Sequence, residues 1–215
     1  MTAPAIRGTA PALFGGLVAA LAWLALLLQA ALNTGSLANL LSYFTILSNL
    51  LVALSLSAAT GWPATSLGRA CARPTTQTAV ALYILVVGVV YNAVLRGLLE
   101  PRSTARLADE LLHVVIPAAY GLYWYWVVPR GSLVWRNLWR WLGFPAGYLA
   151  YSLLRGPLAH WYPYPFLNAP VLGYGRVGVN SGLVLLCFLG VGAALIALNR
   201  LGRTGPHPLP SSPAN

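Results

Sequence analysis

The chain has 215 residues, 58% of them hydrophobic and 7% charged, with a mean hydropathy of +0.70. A water-soluble globule spends about a quarter of its residues on charge, so this composition excludes a soluble fold of ordinary surface. The net charge of +10 comes from 13 arginines and no lysine against three acids; the arginines stand singly or in pairs between long apolar runs, which argues against a nucleic-acid partner.

A helix crossing the bilayer needs about 20 mainly apolar residues, and six segments qualify: 12–32, 38–59, 78–99, 107–128, 138–154 and 177–198. The chain therefore reads as all-α, a polytopic membrane protein with a six-transmembrane-helix bundle forming one domain over residues 1–199. The first run follows a lone Arg7. It exceeds the apolar stretch of a secretory signal and five more runs follow, so it is read as a span. Residues 200–215 carry Pro206, Pro208, Pro210 and Pro213, a composition that predicts a flexible cytoplasmic tail.

Arginine placement predicts orientation. One side takes Arg7, Arg69, Arg73, Arg130, Arg136, Arg140, Arg200 and Arg203. The other takes Arg96, Arg102, Arg106, Arg155 and Arg176 together with the acids Glu100, Asp109 and Glu110. Both termini are expected in the cytoplasm and the chain in the plasma (inner) membrane. Trp62, Trp124, Trp126, Trp135, Trp139, Trp141 and Trp161 fall near the predicted interfaces, where amphipathic rings are favoured; Trp23 falls in mid-span. Cys71 and Cys187 are too far apart in the predicted topology to form a disulfide.

Polar side chains inside hydrocarbon are costly and face the bundle interior, and here they gather in one leaflet. The second predicted helix brings Ser42, Tyr43, Thr45, Ser48 and Asn49, the third Asn92 and Arg96, the fourth Asp109, Glu110 and His113, the fifth Tyr151, Ser152 and Arg155, and the sixth Asn180 and Ser181. At 1.5 Å per residue, Thr45 is expected roughly 10 Å inside its helix and His113 roughly 9 Å inside its own. Ser42, Thr45 and Asn49 follow the spacing of one helix face. Asp109 stands four residues before His113, close enough to orient the ring, although spacing alone leaves open whether Asp109 or Glu110 does so. Pro117 cannot donate to the His113 carbonyl, which predicts a kink. The segment from Tyr91 to Gly97 resembles that from Tyr151 to Gly156 with one residue deleted.

A threonine inside a span commonly bonds the carbonyl four residues back in its own helix. Beside a histidine it has another use: the hydroxyl is a weak nucleophile that needs a base, and the base needs an orienting partner. Thr45, His113 and Asp109 are the candidate nucleophile, base and orienter. Asn49 and Asn92 are candidates to steady an oxyanion, and Arg96 and Arg155 to bind a substrate carboxylate or phosphate bidentately. The alternative reading is a protein that binds or transports a lipid or small anion through the same arginines. A third is a scaffold whose polar layer only associates helices. His113, His160, Asp109 and Glu110 carry no tight metal-ligand spacing, so neither metal nor cofactor is expected. Gly178-Val179-Asn180-Ser181-Gly182 is only distantly similar to an intramembrane serine protease signature.

Three segments carry a resemblance: Ser42-Tyr-Phe-Thr45-Ile-Leu-Ser-Asn49-Leu, Leu111-Leu-His113-Val-Val-Ile-Pro117 and Trp161-Tyr-Pro-Tyr164-Pro-Phe-Leu167. In this order they resemble the androgen-induced protein family of six-span membrane hydrolases, which includes the androgen-dependent TFPI-regulating protein. The chain looks most similar to that family's bacterial relatives, the Pr-six-Pr membrane proteins, which also carry Leu-Arg-Gly and Gly-Tyr-Gly-Arg segments such as 173–176. The resemblance implies an intramembrane threonine hydrolase of lipid (fatty acyl) esters, among them fatty acid esters of hydroxy fatty acids, with Thr45 as nucleophile and His113 as its histidine. Membrane lipids and a lipid ester are the partners it implies.

Overall fold

A computed structural model describes residues 8–96 and 104–201, and every described element is helical. In chain order these are α1 (Thr9–Ala31), α2 (Leu37–Leu40), α3 (Phe44–Gly61), α4 (Ser66–Cys71), α5 (Pro74–Val90), α6 (Thr104–Glu110), α7 (Ile116–Val127), α8 (Arg136–Trp141), α9 (Gly143–Ala159), α10 (Ala169–Leu172) and α11 (Tyr174–Leu201). Two π-helical turns extend them, Tyr91–Leu95 after α5 and Leu111–Val115 between α6 and α7. Four helices are long and apolar enough to cross a membrane: Thr9–Ala31, Phe44–Gly61, Pro74–Leu95 and Tyr174–Leu201. Glu100, Arg102, Arg7 and the proline-rich tail lie outside the described residues.

Helices α1, α3, α5 and α7 pack on one another, and α11 lies against α5. Small residues permit the close approaches: Gly15 of α1 faces Tyr123 and Thr60, and Gly88 of α5 faces Pro117 and the His113 carbonyl. Polar ties cross the bundle where water would otherwise be needed. Trp124 Nε1 donates to Thr78 at 2.8 Å, Tyr120 to the Gln77 amide oxygen at 2.6 Å and Trp141 Nε1 to Thr75 at 3.1 Å. Trp124 and Trp141 are thus buried in the bundle core, whereas Trp62, Trp126, Trp135 and Trp139 are exposed. Mid-span Trp23 satisfies its indole N–H on Ser57 of α3 at 3.2 Å. At the other end of α11, Asn199 holds the loop after α7, its amide donating to the Pro129 carbonyl and accepting from Leu133 N–H.

Two local features depart from regular helices. The second predicted span does not run unbroken from residue 38: α2 ends at Leu40, Tyr43 is extended at φ −78°, ψ 130°, and α3 starts at Phe44. Thr45 therefore sits in the first turn of α3 rather than roughly 10 Å inside a helix, and Ser42 belongs to the break. Tyrosines of α9 hold the break open, Tyr148 donating to the Ser42 carbonyl at 2.9 Å and Tyr151 sharing a 2.7 Å hydrogen bond with the Ser42 hydroxyl. The expected kink before Pro117 takes the form of the π turn, where Ile116 N–H donates to the Leu111 carbonyl. A π turn inserts one residue into a helix, and the other one falls in the longer of the two similar segments. Tyr91–Leu95 is π-helical, whereas its counterpart from Tyr151 lies in regular α9.

Candidate active site

The first turn of α3 points Thr45 at the π turn before α7. Its hydroxyl lies 3.3 Å from His113 Nε2 and 3.3 Å from the hydroxyl of Tyr164. The intrahelical bond that threonines commonly form inside spans is not its role here, because residue 41 precedes the break in the backbone. His113 Nδ1 lies 3.0 Å from the Asp109 carboxylate and 2.9 Å from the Asp109 carbonyl. Two acceptors at Nδ1 keep the proton on that nitrogen and leave the Nε2 lone pair facing the threonine. Asp109, not Glu110, is thus the carboxylate that faces the ring.

Each π turn contributes one ring to the site. Tyr91 stacks on His113 with centroids 4.0 Å apart and planes 15° from parallel, and its hydroxyl donates to the second oxygen of the Asp109 carboxylate. A π bulge re-aims side chains that a regular helix would direct elsewhere, a common device at functional sites. Asn49, fully buried, clamps the two elements together, its amide donating to the Thr45 carbonyl at 2.9 Å and the Leu112 carbonyl at 3.3 Å.

Other predicted site residues lie elsewhere. Asn92 is exposed and bonds the Gly88 carbonyl of its own helix. Arg96 pairs with Glu110 at 2.6 Å and lies over the Tyr91 ring. Arg155 donates to Asn39 at 2.7 Å and lies over Trp161, tying α9 to the end of α2. The two guanidiniums thus engage separate partners instead of converging on one anion.

Sequence reasoning missed two participants, Tyr91 and Tyr164. Tyr164 lies in the segment between α9 and α10. It stacks on Phe166, meets Tyr43 edge-on, and accepts Thr45 N–H at 3.2 Å. Burial pushes its phenol above the ordinary value, against the opposing pull of the Thr45 contacts, so the hydroxyl keeps its proton. Asn180 of α11 anchors the segment on the Phe166 carbonyl at 3.0 Å. Tyr162 lies flat on Gly156 of α9, where a β-carbon would overlap its ring. Gly156→Ala is accordingly expected to destabilise the fold by roughly 1–3 kcal/mol and to displace Tyr164, read as a lower unfolding temperature in detergent.

Beside this cluster lies an apolar cavity of about 300 Å³ between the α3–α5 pair and the α9–α11 pair, at the lower end of the roughly 300–1,000 Å³ typical of ligand pockets. Thr45, Tyr91 and Tyr164 face it, with Val86, Leu149 and Phe188 among its walls. Its lining includes Ala146 of α9 and Gly182 and Leu185 of α11, all of them exposed. The Ser181 hydroxyl lines the cavity and has no hydrogen-bond partner among the described residues.

No protein-family model matches the chain, and no curated protein or solved structure is similar to it. Fold and site together define an all-helical protein with four helices fit to cross a membrane and a Thr–His–Asp chain beside an apolar cavity.

Proposed function

We propose that the protein is an intramembrane threonine hydrolase of lipid (fatty acyl) esters. The observation that carries this reading is the chain of contacts from the Thr45 hydroxyl through His113 to Asp109 at 3.3 and 3.0 Å, opening on an apolar cavity. Thr45 Oγ1 attacks the acyl carbon while its proton passes to His113 Nε2, and the carbonyl oxygen takes the negative charge. Collapse of this adduct breaks the bond to the leaving oxygen, which receives the proton from His113 and departs as the alcohol. A water molecule, deprotonated by His113 in turn, then attacks the acyl-threonine; the bond to Oγ1 breaks, Oγ1 takes the proton back from His113, and the fatty acid is freed.

The bundle proposed has six spans. Helix runs without a break from Thr104 to Val127 through the second π turn, and α9 adds 17 residues, so these two supplement the four long helices. The arginine asymmetry supports an orientation with both termini in the cytoplasm of a plasma-membrane protein and with Thr45 and His113 in the outer leaflet. Substrate enters sideways between α9 and α11. The resemblance to the androgen-induced proteins and to the Pr-six-Pr proteins supports the same chemistry on Thr45 and His113.

The direct test is capture of the acyl-threonine. Protein purified in detergent, treated with a fluorophosphonate or quenched during turnover of a long-chain ester, is expected to carry the adduct on the peptide containing Thr45. An adduct elsewhere, or none, removes the reading. The cavity makes a second prediction: a β-carbon on cavity-lining Gly182 meets nothing within 4 Å, so a side chain can start there, and Gly182→Trp, its folding checked by unfolding temperature in detergent, is expected to narrow the cavity. Turnover of a palmitoyl ester is expected to fall about 100-fold, within the range set by apolar pocket contacts, while a butyryl ester is turned over as before. Comparing kcat/KM for the two chain lengths checks it.

A further inference from the structure

Resting on the hydrolase reading, we propose that the Tyr164 hydroxyl and the backbone N–H of Thr45 form the oxyanion hole, which makes Tyr164 a catalytic residue. Acyl transfer needs donors fixed where the carbonyl oxygen becomes negative. The asparagines that sequence suggested are engaged or distant: the Asn49 amide donates to two backbone carbonyls, and Asn92 is exposed on its own helix. Thr45 N–H is available because the break at Tyr43 starts α3 at Phe44, and an N–H in a helix's first turn has no intrahelical acceptor. It donates to Tyr164 Oη at 3.2 Å, and that oxygen lies 3.3 Å from Thr45 Oγ1.

Two donor atoms 3.2 Å apart can both reach one oxygen at about 2.9 Å, the ordinary N–H···O distance. An ester carbonyl entering from the cavity that Tyr164 and Thr45 both line displaces the phenol oxygen from the N–H and receives both hydrogens. As Oγ1 bonds to the acyl carbon, the electron pair of the carbonyl moves onto this oxygen and both hydrogen bonds strengthen. When the pair returns and the leaving oxygen departs, the phenol resumes its bond to Thr45. Tyr164 donates to the carbonyl oxygen while that oxygen is bound and never transfers its proton.

The test compares an ester with the thionoester of the same chain, because sulfur is a weak hydrogen-bond acceptor and a working oxyanion hole penalises it. Tyr164→Phe retains the ring that stacks on Phe166 and removes the hydroxyl alone. The expected result is a fall in kcat on the oxygen ester of about 100-fold, the usual loss of one oxyanion donor, with KM little changed and the oxygen-to-sulfur preference reduced by a similar factor. That preference is a ratio within each preparation and does not depend on the fraction folded. Tyr164→Phe that keeps wild-type kcat, or loses kcat with the preference intact, overturns the assignment while hydrolysis still lost in Thr45→Ala leaves the hydrolase reading standing. Hydrolysis that persists in Thr45→Ala overturns both.

Discussion

Alanine at Thr45 or at His113 is expected to lower lipid-ester turnover by roughly 10⁴-fold or more, and the double substitution no further, because nucleophile and base act as a unit. Without the hydroxyl no acyl-enzyme forms. Without the imidazole the hydroxyl, 3.3 Å from where Nε2 was, has no acceptor for its proton. Thr45→Ser retains an attacking oxygen and is expected to retain measurable turnover. Thr45→Ala removes only a hydroxyl and is expected to keep an unfolding temperature in detergent near that of the parent, whereas His113→Ala also removes the contact with the Asp109 carbonyl and the stack on Tyr91 and is expected to lower it, so activity is compared per folded protein. Steady-state kinetics on the four proteins decides it: losses that multiply in the double variant would show two residues acting independently.

Asp109→Asn is expected to cost roughly 10²–10³-fold in kcat with little change in KM, short of the ~10⁴ seen when an orienting aspartate is the sole partner of its histidine. An amide in place of the carboxylate can present N–H to the ring, favouring the tautomer with its proton on Nε2, which cannot take one from Thr45. The Asp109 carbonyl still accepts from Nδ1 at 2.9 Å, and that second acceptor limits the loss. Glu110→Gln is expected to change turnover little, because Glu110 pairs with Arg96 at 2.6 Å and not with His113. Equal losses in the two variants would sink the assignment of roles.

The pairing of His113 with Asp109 was legible because it leaves marks in one dimension: an ionisable group within an apolar run, a carboxylate one helical turn before it, a proline that frees its carbonyl. Tyr164 left no such mark. It lies in an aromatic loop segment, and only the return of that segment under α3 brings its hydroxyl to Thr45. Tyr91 was visible as part of a repeat, but its stacking on His113 depends on the π turns, whose inserted residues shift hydrogen bonding without altering composition. For Arg96 and Arg155, two guanidiniums near one predicted interface suggested an anion site, and in the structure each meets a different neighbour, Glu110 or Asn39.

Apolar length and scarce charge are properties of a linear chain, because a membrane filters segment by segment; the all-helical fold and its long apolar helices therefore followed from the order of residues alone. Depth and facing are collective. The break at Ser42–Tyr43, which moves Thr45 into a first turn and frees its N–H, is stabilised by Tyr148 and Tyr151 of α9, more than a hundred residues away in the chain. The cavity exists because α9 and α11 meet the α3–α5 pair through bulky aromatics, Phe44, Tyr148 and Phe188 among them, that hold the helices apart beside the site. Such spacing arises only when side chains from distant segments compete for the same volume, and no local pattern records the outcome.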